Sequence, residues 1–178
     1  MTQAVDTPNI LIRSAMLQDV SEIARVHVKS WQSSYKHLMA ADYLSKLQLD
    51  ERIAFWSKVL QDKQTASHTY VALRDDDGTV IGFCHGGPSR HPAYATYGEI
   101  YAIYLLSDFQ GKEIGRCLFQ RSMIKFRQDS YAGALLWVLA DNPACGFYQK
   151  MGGAICEEKF EEIGGAKLKE VLFVWDQI

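Results

Sequence analysis

The chain has little of what marks the specialised protein classes. It holds four cysteines and four prolines in 178 residues, and its formal net charge is −2. Its apolar runs are short and broken, so no segment offers the roughly 20 consecutive apolar residues that a membrane helix needs. Residues 1–9, MTQAVDTPN, lack the charged start and apolar stretch of a secretory leader. Cys84, Cys117, Cys145 and Cys156 form no CxxC and no Cys/His cluster of zinc spacing. That excludes the common structural metal sites and suits reduced thiols in a cytoplasmic protein. A charge so near neutrality gives no global attraction to nucleic acid or to an anionic membrane, so any anion site has to be built locally. Neither GxxxxGK[ST] nor GxGxxG occurs, which excludes a P-loop and a dinucleotide turn.

What is present is an ordinary globular composition. Hydrophobic residues make up 48% of the chain, enough for one core, and a single domain over residues 1–178 is expected. Residues 10–15 (ILIRSA) read as a strand. Over residues 17–35, Val20, Ile23, Ala24, His27 and Trp31 recur at helical spacing. His27 on that face reads as a satisfied core histidine, and Asp19 or Ser21 as the helix start. A second helical region spans residues 41–60, with a break near Asp50, which would cap its second part. Residues 68–74 and 79–86 read as strands joined by the Asp77-Gly78 turn. Gly87-Pro88 ends the second of these, and residues 89–96 read as a loop.

Residues 99–106 (EIYAIYLL) and 134–139 (ALLWVL) are apolar on both faces, as central strands are. A helix over about 112–128 separates them. A short helix over 143–151 starts with proline and stops at Gly152-Gly153. Strands over 154–162 and 167–175 flank a Gly164-Gly165 turn. The class is α/β (α+β), a mixed sheet flanked by helices.

Two stretches carry chemistry, each following a central strand. DFQGKEIGRCLF (residues 108–119) opens a helix with two glycines and two cations. Free amides and the helix dipole favour an anion there. ADNPACGFYQKMGG (residues 140–153) places Asn142 to cap the second helix or to offer its amide to a ligand. It also places Tyr148 on that helix, as a phenolic proton donor or a core aromatic. Gly146 inside the helix costs about 1 kcal/mol relative to alanine, which points to close packing or to an approaching ligand. Glu113 stands out, because a carboxylate is an odd neighbour for an anion.

Taken together the two stretches resemble the GNAT superfamily of N-acetyltransferases. Its Gln/Arg-x-x-Gly-x-Gly/Ala pattern falls on Gln110, Glu113 and Gly115, with Glu113 in a glycine's place. Its Asn-x-x-Ala-x-x-Phe-Tyr pattern falls on Ala144, Phe147 and Tyr148, with Asp141 at the asparagine position and Asn142 one residue on. The resemblance implies the GNAT fold, with a mostly antiparallel sheet, and acetyl-CoA as co-substrate. It implies main-chain contacts from Ile103, Tyr104 and Leu105 to the pantetheine arm. The diphosphate would lie on the amides of Gly111, Lys112, Glu113, Ile114, Gly115 and Arg116 beside Gln110, and Asn142 would touch the arm.

The implied reaction is direct attack of an amine on the thioester, with Tyr148 as the acid and Glu99 as the base or its water anchor. Glu99 reads equally as a strand-end carboxylate facing solvent. WQSSYKHLM, with YLSKL downstream, resembles the branch that includes polyamine acetyltransferases, although His37 and Ala40 replace its usual glycine and proline. Trp31 and Tyr35, four apart on one helical face, are the acceptor-side candidates. The expected acceptor is a small-molecule amine, with no nucleic acid or membrane partner, and a homodimer stays open. A protein lysine or N-terminal acetyltransferase and a non-catalytic acyl-CoA-binding module are the alternatives. An ordered loop over the site at residues 87–97 would favour the small acceptor.

Overall fold

The computed structural model describes residues 10–178. The strands are β1 (Ile10–Ser14), β2 (Thr69–Arg74), β3 (Val80–Pro88), β4 (Gly98–Leu105), β5 (Ala134–Leu139), β6 (Ala154–Ile163) and β7 (Ala166–Trp175). The helices are α1 (Val20–Ser34), α2 (Ala41–Ser45), α3 (Leu49–Gln61), α4 (Lys63–Ala66), α5 (Ile114–Gln128) and α6 (Ala144–Lys150). The strands form one sheet in the order β1-β2-β3-β4-β5-β7-β6. Among the described residues β4 and β5 alone pair in parallel; the other neighbours are antiparallel.

The hairpins form where the turn residues demand them. Gly78 holds φ +69°, and Gly164 and Gly165 hold +60° and +81°, left-handed values that glycine adopts without steric cost. The α5 stripe Ile114, Leu118, Phe119, Met123 and Phe126 is buried on one sheet face with Ile100, Leu136 and Phe173. The opposite face of β2 and β3 takes Ile23, Val26 and Trp56 from α1 and α3 against Val71 and Phe83. Each such side chain stabilises the fold by about 1.5–3 kcal/mol on burial. Gly98 lets β4 start directly beneath α5, because a Cβ there would stand 2.5 Å from the Phe126 ring.

His27 is a core histidine, as its helical position suggested. Its Nδ1 accepts from the Trp56 indole at 3.2 Å, and burial pushes its pKa down to about 4. Asp19 is the N-cap residue of α1, one of the two starts read from the sequence, although its carboxylate takes Arg13 at 2.6 Å and the Met16 amide at 2.8 Å rather than an α1 amide. Other details differ from the sequence reading. Asp50 lies inside the first turn of α3, whose N-cap is Gln48; a carboxylate there is favoured by the helix dipole. A short α4 follows, capped by Asp62 through the Gln64 amide at 2.8 Å. The loop after β3 also contains a single 3-10 turn, Pro92–Tyr94.

Candidate active site

The parallel pair β4/β5 is joined only at its beginning, through Gly98↔Ala134 and Glu99↔Leu135. Beyond that the strands part. On its other side β4 pairs with β3 as far as Leu105, so every other residue of β4 turns its amide and carbonyl toward the gap. The gap is a cleft of about 920 Å³ lined by Ile100–Leu105 of β4 and Leu136–Leu139 of β5. Parallel strands send both following helices to the same end of the sheet. The N-termini of α5 and α6 therefore flank the wide end of the gap, where α/β sheets place their ligands.

The α5 end is an anion cradle made of backbone. Gly111 holds φ +73° and Glu113 holds φ +62°, and α5 begins at Ile114, with Cys117 the first residue whose amide bonds back, to Glu113. Among the described residues, none of the six amides from Gly111 to Arg116 has a protein acceptor. Two left-handed residues so close together help to leave successive N–H groups free for an anion. Gln110, Glu113 and Arg116 are among the cleft-lining residues, whereas Ile114 is buried in the core. Gln110 also donates to the Leu105 carbonyl at 3.1 Å, closing the end of β4.

Glu113 thus occupies the glycine position of the motif in the backbone conformation that favours glycine. Its side chain is 73% exposed and pairs with Arg116 at 3.1 Å, so the carboxylate leans along the helix toward water. A Cβ at Gly111 or Gly146 would meet nothing within 4 Å, and at Gly115 only the Phe147 ring edge at 3.9 Å. Gly115 and Gly146 both line the cleft. Close packing therefore does not explain Gly146, and room for a ligand does.

Asn142 sits at the α6 end. Its Oδ1 accepts from the Ala144 amide at 2.9 Å and its Nδ2 donates to the Tyr35 hydroxyl at 3.4 Å. It lies one residue before the α6 N-cap, Pro143, where it satisfies the first helical amide, and it also lines the cleft. Trp31 and Tyr35 stack edge-on at 4.9 Å, and Trp31 donates to the Tyr104 hydroxyl at 2.8 Å. Both line the cleft beside Tyr148. Burial raises the Tyr148 phenol well above its ordinary value, with the Tyr35 phenol adding to the effect. It remains a protonated donor throughout the neutral range.

Glu99 is placed differently from the solvent-facing alternative. It is 2% exposed, accepts from the Arg90 amide at 2.7 Å and from Arg90 Nε at 3.1 Å, and is not among the cleft-lining residues. The segment carrying Arg90 is ordered, held by Ser89 to Tyr97 and by His91 to Glu157 at 3.1 Å. It packs Tyr94 and Tyr97 over Leu135 and Leu172 rather than lining the cleft. The acceptor side is instead lined by Trp31, Tyr35, His37 and Met39 together with Ile163 and Glu170 of the β6–β7 hairpin, and outside that lining the Tyr43 ring lies against Gly164.

Among the cleft residues not singled out from sequence are Trp137, Lys150, Ile163 and Glu170. Lys150 was legible in principle, since it lies one turn after Gly146 on α6. Glu170 was not, because its reach into the cleft depends on β7 pairing with β5 opposite Leu139.

Comparison with known proteins agrees with this geometry. The model of the acetyltransferase (GNAT) family matches residues 22–153. The chain is 34% identical over 169 residues to the uncharacterized N-acetyltransferase YuaI of Bacillus subtilis (strain 168), covering 95% of this chain and 94% of that one. The crystal structure of PaiA N-acetyltransferase from Thermoplasma acidophilum in complex with coenzyme A superposes with a TM-score of 0.71 at 20% identity, over 92% of this chain and 98% of that one. An N-acetyltransferase from Staphylococcus aureus Mu50 gives 0.70 at 24% identity, over 94% and 98%. The two solved structures share the fold. The chain belongs to the GNAT acetyltransferase family. It is an acetyl-CoA-dependent N-acetyltransferase, and its open amide cradle, with Arg116 and Lys150 on the cleft wall, fits that co-substrate.

Proposed function

We propose that the protein acetylates a primary amine on a small molecule. The observation that supports this reading is the aromatic lining of the acceptor side, where Trp31 and Tyr35 face the same cleft as Tyr148, with Ile163 and Glu170 of the β6–β7 hairpin beside them. The diphosphate lies on the amides of Gly111–Arg116, the pantetheine arm follows the free edge of β4 at Ile103–Leu105, and Asn142 borders it.

Acetyl-CoA supplies an activated acetyl thioester. A free amine has a pKa of about 10.4 and arrives protonated, so attack requires loss of one proton, and the departing thiolate gains one. Tyr148 is the donor. Glu99 takes part only through water, because Arg90 occupies both of its oxygens. Trp31 and Tyr35 form the aromatic side of the acceptor pocket.

The test is release of CoA thiol from acetyl-CoA with a panel of small amines, run beside lysine-bearing and N-terminal peptides. Turnover with small amines and none with peptides is the expected result. The reverse pattern favours a protein acceptor, and tight acetyl-CoA binding without transfer to anything favours a binding module.

A further inference from the structure

A primary ammonium already sits at the edge of the acceptor pocket, and it belongs to the chain itself. Lys159 of β6 places its Nζ 4.4 Å from the centroid of the Trp137 ring. The same nitrogen is 3.3 Å from a Glu170 carboxylate oxygen and 2.9 Å from Glu161. The sheet register explains the grouping. Glu170 lies opposite Leu139 on one side and opposite Lys159 on the other, while Trp137 lies opposite Leu172, two residues along β7. All of these side chains share one sheet face. Trp137 and Glu170 line the cleft, whereas Lys159 does not. Burial, the largest cause, raises the Tyr35 phenol above its ordinary value, and the Glu170 carboxylate adds to the effect.

An aromatic face and a carboxylate with 18% exposure are the components that recognise an alkylammonium. We propose that Trp137 and Glu170 form a subsite for a second cationic group on the acceptor, and that Lys159 fills this subsite until an acceptor displaces it. The preferred substrate class is then a diamine, with one amine delivered to the thioester and the other held here. This rests on the small-amine reading above and narrows it. Lys159 has an alternative partner in Glu161, 49% exposed, so its displacement leaves it paired at the surface. The exchange swaps one ammonium for another and therefore carries little desolvation cost.

Calorimetry on the CoA-loaded protein tests the proposal without requiring turnover. Diaminopentane and pentylamine are titrated into wild type, Glu170→Gln and Lys159→Met. Wild type should bind the diamine about tenfold more tightly, as expected for one partly desolvated ion pair with a cation–π contact. Glu170→Gln should bring the ratio toward one. Lys159→Met, which removes the competing ammonium, should tighten diamine binding while leaving the fold intact, since Lys159 is a surface side chain. Equal wild-type affinities for the two amines, or a ratio unchanged in Glu170→Gln, would overturn the subsite. Failure of acetyl transfer to small amines would instead count against the acceptor class and leave this binding ratio readable.

Discussion

Arg90 holds both carboxylate oxygens of Glu99, one through its backbone amide at 2.7 Å and the other through Nε at 3.1 Å. The pair ties the start of β4, where the sheet is still closed, to the loop that follows β3. Removing one partner of a buried ion pair costs about 3–5 kcal/mol. The Arg90 side chain is 67% exposed, so solvent reduces this to about 1–2 kcal/mol for Arg90→Met. Urea denaturation should show a lower midpoint at an unchanged slope. The double variant with Glu99→Gln should recover part of the loss; strictly additive losses would show that the two residues do not act as a pair.

Glu113→Gly removes a side chain from a left-handed backbone position. The strain relieved, about 1 kcal/mol, is largely offset by the freer unfolded chain, so stability should stay within about 0.5 kcal/mol. Acetyl-CoA affinity should respond more. Loss of the carboxylate frees Arg116 and lowers repulsion near the diphosphate, giving about threefold tighter binding at low salt that fades as salt rises. Weaker binding in a titration at two salt concentrations would show that the carboxylate helps.

Gly146→Ala separates folding from ligand binding. The added methyl group meets no protein atom within 4 Å, and alanine favours the helix by about 1 kcal/mol. The melting temperature of the ligand-free protein should rise. Acetyl-CoA should bind several-fold more weakly, because the methyl stands in the cleft. A variant improved in both respects would remove Gly146 from the ligand path.

Acid should weaken the fold in a defined window. Burial, the largest cause for each, pushes His27 and His85 down to about 4, while both titrate near about 6.5 when unfolded. Their depressed values contribute stability that is complete above about pH 6.5 and is lost as pH falls toward 4, up to about 3 kcal/mol per residue. Melting temperatures across that range should fall, and His27→Gln, which keeps an acceptor for Trp56, should flatten the decline. An unchanged slope would show that His27 does not drive it.

Much of the fold was legible from local chemistry. The Asp77-Gly78 and Gly164-Gly165 turns fixed two hairpins, and the doubly apolar stretches located β4 and β5. The two N-terminal motifs of α5 and α6 located the cleft between those strands. The roles of side chains that meet across long sequence distances were not legible. Nothing near Glu99 in sequence announces that Arg90 folds back over it, and the Lys159–Glu170–Trp137 grouping exists only once β6, β7 and β5 are in register. Glu113 was visible as a departure from the motif, but its cause for concern shifted from charge to backbone. The motif's glycine serves a positive φ, and Glu113 adopts that φ at +62° all the same.

In the proposed reaction Tyr148, a buried phenol that lines the cleft, gives its proton to the departing thiolate. The most direct test of this step is the steady-state rate of Tyr148→Phe with saturating acetyl-CoA and the best amine acceptor, measured together with acetyl-CoA affinity. A fall in kcat of about 100-fold, with affinity within about twofold, is the predicted result. Wild-type kcat in Tyr148→Phe, at unchanged affinity, would contradict it.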